Sequence, residues 1–172
     1  MKKNNWIYKV FLLTFLLSII FSGVANVITY NANPIIIGIL LLIVISLGIT
    51  FDMIGTSVLT SKESTFHAMN SKKIKGAKEA IWLLKNNGQV ANLCLDVFGD
   101  VFGILSGGLG AVLTTSIVMV TNISLPIISV LVGAFISAMT VGGKAGCKNV
   151  AIKNSDYIVF TVAKIRHFFC FK

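Results

Sequence analysis

At 172 residues, 55% of them hydrophobic and only 12% charged, with a mean hydropathy of +0.88, the chain is too apolar for water to be its main solvent. A net charge of +9 would suggest nucleic acid in a soluble protein, but here the cations flank apolar runs, so they read as membrane topology and no nucleic-acid partner is expected. Four spans of ~20 residues use roughly half of this length, so a single transmembrane domain over 1–172 is expected, with no separate catalytic or regulatory domain.

The first apolar run covers 6–30, from Trp6 to Tyr30, with Lys9 near its start. Met1-Lys2-Lys3 ahead of it resembles a signal peptide, yet the run exceeds the usual ~7–15 residue apolar core and no A-x-A-like site closes it. An uncleaved first helix is expected. The turn-like Asn31-Ala32-Asn33-Pro34 then implies a helical hairpin into a second span over 35–61, which carries IIIGILLLIVISLGITF and the more polar DMIGTSVLTS.

In the loop that follows, Ile74, Ala77, Ala80, Ile81 and Leu84 recur at spacings of 3 and 4, with Lys72, Lys75, Lys78, Glu79 and Lys85 on other faces. This predicts a basic amphipathic helix, lying against anionic lipid headgroups or solvated as a loop helix. A third span over 89–120 is longer than a bilayer requires, and a fourth covers 124–142. The tail from Asp156 to Lys172 mixes aromatics and cations and suits a basic interfacial segment.

Every cation falls in one of three places. Lys2, Lys3 and Lys9 lie at the start; Lys62, Lys72, Lys73, Lys75, Lys78 and Lys85 lie between spans two and three; Lys144, Lys148, Lys153, Lys164, Arg166 and Lys172 follow span four. The remaining two loops are uncharged. Because Lys and Arg are retained in the cytoplasm, a multi-pass protein of the plasma membrane with cytoplasmic N- and C-termini is expected. The fold expected is therefore an all-α integral membrane protein, with four transmembrane helices and a cytoplasmic amphipathic helix between the second and third. Cys94, Cys147 and Cys170 have no CxxC spacing and read as free thiols.

Three of the six acids, Asp52, Asp96 and Asp100, lie inside apolar spans, where a charged aspartate costs ~2.5–3.5 kcal/mol. Counted at 1.5 Å per residue, all three lie roughly 10–17 Å from the cytoplasmic ends of their spans, so they can meet at one level. At 100° per residue, Asp96, Gly99, Asp100, Gly103, Gly107 and Gly110 share one stripe of span three, and the spacing Gly99-x3-Gly103-x3-Gly107 lets another helix approach closely. Gly48, Asp52 and Gly55 form a comparable stripe on span two, with Thr56 and Ser57 beside it. Carboxylates, hydroxyls and close-packed carbonyls are hard oxygen donors suited to Mg²⁺ and similar ions. The same acids can instead be structural, protonated or paired with Lys144 or interhelical hydroxyls.

His67 and His167 lack any paired metal spacing and read as surface residues. Ser106-Gly107-Gly108-Leu109-Gly110 lacks the GK[ST] of a phosphate loop and reads as packing. No nucleophile, base and orienting group can be assembled, so no enzyme activity is expected.

FDMIGTSVLTS at the end of span two, Gly76-Ala77-Lys78-Glu79-Ala80 and Leu83-Leu84-Lys85-Asn86 in the basic loop, Gly99-Asp100 in span three, and Gly143-Lys144-Ala145-Gly146-Cys147-Lys148 with Ala151-Ile152-Lys153-Asn154 after span four resemble the transmembrane domain of the CorB/CorC and CNNM magnesium and cobalt transporters. The similarity covers about 35–160 and is nearest to the short stand-alone CorB-like proteins. The resemblance implies a homodimer in the lipid bilayer that holds Mg²⁺ or Co²⁺ between helices through side-chain and backbone oxygens, with no organic cofactor. It assigns Thr56 or Ser57 to the family's Ser-rich stretch and Asp96 and Asp100 to its two Asn positions, or, in an alternative register, Gly99-Asp100 to its Gly-Asn pair. Lys144 and Cys147 stand where the family's third span carries Glu and Pro, and the cytosolic CBS pair of longer relatives has no counterpart here. The function expected is divalent-cation transport across the plasma membrane, with Asp52, Thr56, Ser57, Asp96 and Asp100 at the metal. The alternative is a non-transporting membrane interaction or regulatory protein that dimerises through its glycine-rich helix faces.

Overall fold

A computed structural model describes the backbone of residues 2–30, 32–121 and 123–170, and the side chains of 7–168 among them. Lys2, Lys3, Asn31, Asn122, Cys170 and Lys172, to which the sequence reading assigned loops, charges or a thiol, fall outside the described backbone or side chains. All regular structure among the described residues is helical: α1 (Lys2–Thr29), α2 (Pro34–Thr60), α3 (Glu63–Ser71), α4 (Ala77–Lys85), α5 (Asn87–Asn92), a π-helix (Leu93–Phe98), α6 (Gly99–Thr121), α7 (Leu125–Lys153) and α8 (Ser155–Cys170).

Among the described residues, four stretches are long and apolar enough to cross a bilayer: Ile7–Thr29, Pro34–Thr60, Asn87–Thr121 and Leu125–Lys153. Three agree with the apolar runs to within about two residues. The fourth runs on well past the expected end at 142, because Gly142, Gly143, Lys144 and Gly146 lower hydropathy without removing any backbone donor from the helical ladder. Phe11, Val27, Ile35 and Met119 are among many large apolar side chains left facing outward, which in water would be an aggregating surface and in lipid is the ordinary one.

The chain divides into two compact units. The first comprises Met1–Ile49 and Val97–Gly143. Here α1 packs on α6, with Ala25 and Thr29 buried and the Phe21 ring 5.3 Å from that of Phe102. Gly48 admits Phe102, whose Cβ would lie 3.3 Å from an added methyl. Gly110 likewise gives α7 its approach through Ile136. Between α6 and α7 a groove of about 430 Å³ stays open, lined by Gly103, Gly107, Ala111, Ser129, Gly133 and Ser137.

The second unit comprises Thr50–Asp96 and Lys144–Lys172. Its core gathers Val58 from α2, Phe66 from α3, Ala80, Ile81, Leu83 and Leu84 from α4, and Val159 and Ala163 from α8. Burial of a side chain such as Phe66 or Leu84 contributes about 1.5–3 kcal/mol. The amphipathic loop helix begins at Ala77 rather than near Ile74, because Gly76 takes a left-handed backbone (φ 92°) at its N-cap and lies directly against Lys164 of α8. Its apolar face is buried between α3 and α8, so that face is spent on protein packing.

Two polar ties fix α8. In its first turn, Asp156 accepts hydrogen bonds from the Lys62 backbone N–H at 3.3 Å and from the Thr65 hydroxyl at 3.0 Å, joining α8 to the start of α3. Near its far end, His167 Nδ1 lies 2.8 Å from Glu79 Oε1, and the Arg166 guanidinium stacks 3.4 Å from the centre of the Trp82 ring. The hydrogen bond to His167 holds the Glu79 carboxyl below its ordinary value, outweighing the opposite push of burial.

Candidate ion site on the second and third spans

Asp52, Thr56 and Ser57 lie within two turns of α2, in the part belonging to the second unit. Asp52 forms an ion pair with Lys144 of α7 at 3.4 Å, its side chain 19% exposed and that of the lysine 33%. The sequence left metal, proton and lysine as possible partners for this acid, and Lys144 is the partner found. Thr56 and Ser57 are buried. The Ser57 hydroxyl lies 2.8 Å from the Met53 carbonyl oxygen and 3.2 Å from that of Ala151, so its one proton is shared between a helical back-bond and a tie from α2 to α7.

One turn beyond Asp52, Gly55 opens α2 to the third span. An added Cβ would come within 2.7 Å of Leu95 Cγ and 3.2 Å of Cys94 Cβ, so only glycine lets the two segments touch here. The segment it admits is the π-helix Leu93–Phe98, which contains Asp96. A π-turn holds an extra residue and loosens the regular i→i+4 ladder, and such turns are frequent at functional sites. Nothing in the apolar pattern of LCLDVF signals it.

The stripe expected from 100° spacing is not buried along its whole length. Gly99 and Gly110 are buried, whereas Asp96, Asp100, Gly103 and Gly107 face outward. A Cβ added at Gly103 or Gly107 meets nothing within 4 Å. The glycine stripe leads to the expectation that both carboxylates point into a helix contact; within the single chain both are exposed, Asp96 on the π-turn and Asp100 in the first turn of α6. Neither forms an ion pair among the described residues. No group of three His, Cys, Asp or Glu side chains among the described residues comes together closely enough to hold a metal.

Sequence reasoning named Lys144 only as one possible partner, and it missed Asp156 and the Glu79–His167 pair. Asp156 and Glu79 reach partners 88 to 94 residues away, so no local periodicity could reveal them. The only hint was composition, since six acids stand among 15 cations. No family model, curated protein or solved structure matches the chain.

Proposed function

We propose that this chain carries a divalent cation, Mg²⁺ or Co²⁺, across the plasma membrane as a CorB-like homodimer with both termini in the cytoplasm. The observation that carries the proposal is Asp96: a carboxylate inside a membrane-length apolar helix, on a π-turn, beside the Gly55 crossing, and without an ion-pair partner among the described residues. An ionised carboxylate there costs ~2.5–3.5 kcal/mol unless a cation or proton neutralises it.

The donor chemistry fits a hard ion. Mg²⁺ takes oxygen ligands, keeps several waters, and is commonly held by one or two carboxylates rather than by a closed protein cage. Asp96 supplies such a ligand, Thr56 lies buried on the α2 segment that Gly55 opens, and the loosened ladder of the π-turn supplies backbone oxygen. Asp52 is neutralised by Lys144 and therefore acts as a positioned reserve ligand, released only when the lysine moves. Metal affinity should fall as pH drops, because protons compete for the same oxygens.

A second reading has one observation in its favour. The Asp52–Lys144 pair is the arrangement of a structural polar contact between helices, and it suits a membrane interaction protein that moves no ion.

Titration calorimetry on the purified chain separates the two. The transport reading expects Mg²⁺ or Co²⁺ to give a saturable heat that weakens in Asp96→Asn and disappears in Asp96→Leu. A flat wild-type trace with both ions would leave the interaction reading.

A further inference from the structure

We infer that the outward face of α8, carrying Tyr157, Ile165 and Phe168 with Lys164 at its edge, is a docking surface for an anionic bilayer. Tyr157, Thr161, Ile165 and Phe168 follow one another at spacings of 4, 4 and 3, so they form one stripe along the helix, with Lys164 at its edge. The opposite stripe is Ser155, Val159 and Ala163, all buried. On the outward side Tyr157 is 74%, Ile165 55% and Phe168 80% exposed. Helix α8 is thus apolar on two sides, and the core of the second unit takes Val159 and Ala163 from one of them.

Three observations commit this face to lipid. First, α8 starts two residues after the end of α7, a helix long and apolar enough to cross a bilayer, so chain connectivity keeps its first turn near the membrane surface. Second, the charge complement is one-sided. The second unit holds twelve of the 15 Lys and Arg residues against five acids, and three of those acids are engaged: Asp52 by Lys144, Glu79 by His167, and Asp156 by Lys62 N–H and Thr65. Lys78, Lys85, Lys148, Lys153 and Lys164 all remain exposed. Third, an aromatic and aliphatic stripe edged by lysine is the composition that lies at the boundary between headgroups and acyl chains. Anionic lipid attracts each Lys or Arg brought to its surface.

The sequence assigns two segments to the membrane interface, the amphipathic loop helix and the tail from Asp156 to Lys172. The apolar face of α4 is closed by α3 and α8, and α8 offers its own second face instead. This inference does not depend on ion transport.

The test uses the full chain in nanodiscs of phosphatidylcholine brominated near the glycerol end of its acyl chains, with or without phosphatidylglycerol. Emission added by Phe168→Trp is compared with that added by Lys72→Trp in the turn between α3 and α4, each after subtraction of the wild-type signal. The expected result is several-fold stronger bromine quenching at 168 than at 72, enhanced by phosphatidylglycerol and weakened by high salt. Tyr157→Trp reads the other end of the same stripe and should behave alike if Phe168→Trp assembles poorly. Unquenched emission at 157 and 168 would mean that the face meets water or a second copy, and would overturn the inference. Quenching indifferent to phosphatidylglycerol would overturn its anionic specificity.

Discussion

Asp52 and Lys144 show how much a single partner matters at membrane depth. Lys144→Met leaves the carboxylate without its cation, and the expected loss is about 2 kcal/mol, less than the ~3–5 kcal/mol for a fully buried pair because both side chains retain some exposure. Thermal unfolding in detergent checks this, and the double change Asp52→Leu with Lys144→Met should lose less than the sum of the single changes. Glu79 gives a pH-dependent counterpart outside the spans. Its folded pKa lies below the ordinary 4.5, so its contribution is fully present above that value and is lost as pH falls through the lower folded value. Melting temperature against pH should therefore drop less steeply on the acid side in Glu79→Gln than in wild type. Equal slopes would mean that the His167 contact adds nothing to stability.

At the level of elements, the glycines of α6 divide by what surrounds them rather than by their shared spacing. Gly110→Leu drives a side chain into Ile136 and is expected to destabilise the chain itself, by about 1–3 kcal/mol for an overpacked site. Gly103→Leu projects into open space, so the monomer should keep its melting temperature while self-association weakens if this face meets a second copy. Sedimentation in detergent alongside thermal unfolding separates the two effects. The four spans were legible from the sequence because an uninterrupted apolar run of this length has few other solutions. The helical periodicity of Ala77, Ala80, Ile81 and Leu84 was legible too. What covers that face was not, because Phe66 and Val159 come from segments whose own patterns give no hint of mutual packing. The π-turn at Asp96 was equally hidden, since the sequence around it is ordinary apolar helix, and so was the approach of Leu95 and Cys94 to Gly55 on another span.

Across the whole molecule, the candidate site residues were legible as acids in the wrong solvent, while their grouping was not. Asp52 is joined to a lysine and Asp96 and Asp100 face outward, an outcome decided by contacts distant in sequence. The proposed topology makes a separate prediction. Cysteines placed at Asn33 and Ser124, in the two uncharged turns, should react with an impermeant maleimide in intact cells. One placed at Lys72 should react only after permeabilisation. The central claim is cation passage, and flux into sealed vesicles tests it most directly. Purified protein is reconstituted with a Mg²⁺-sensitive dye inside, and Mg²⁺ or Co²⁺ is added outside. Wild type should fill the vesicles faster than protein-free controls, Asp96→Leu at equal abundance should fall to the control rate, and acidification should slow wild type. Wild-type flux no faster than that of empty vesicles for both ions would contradict the account.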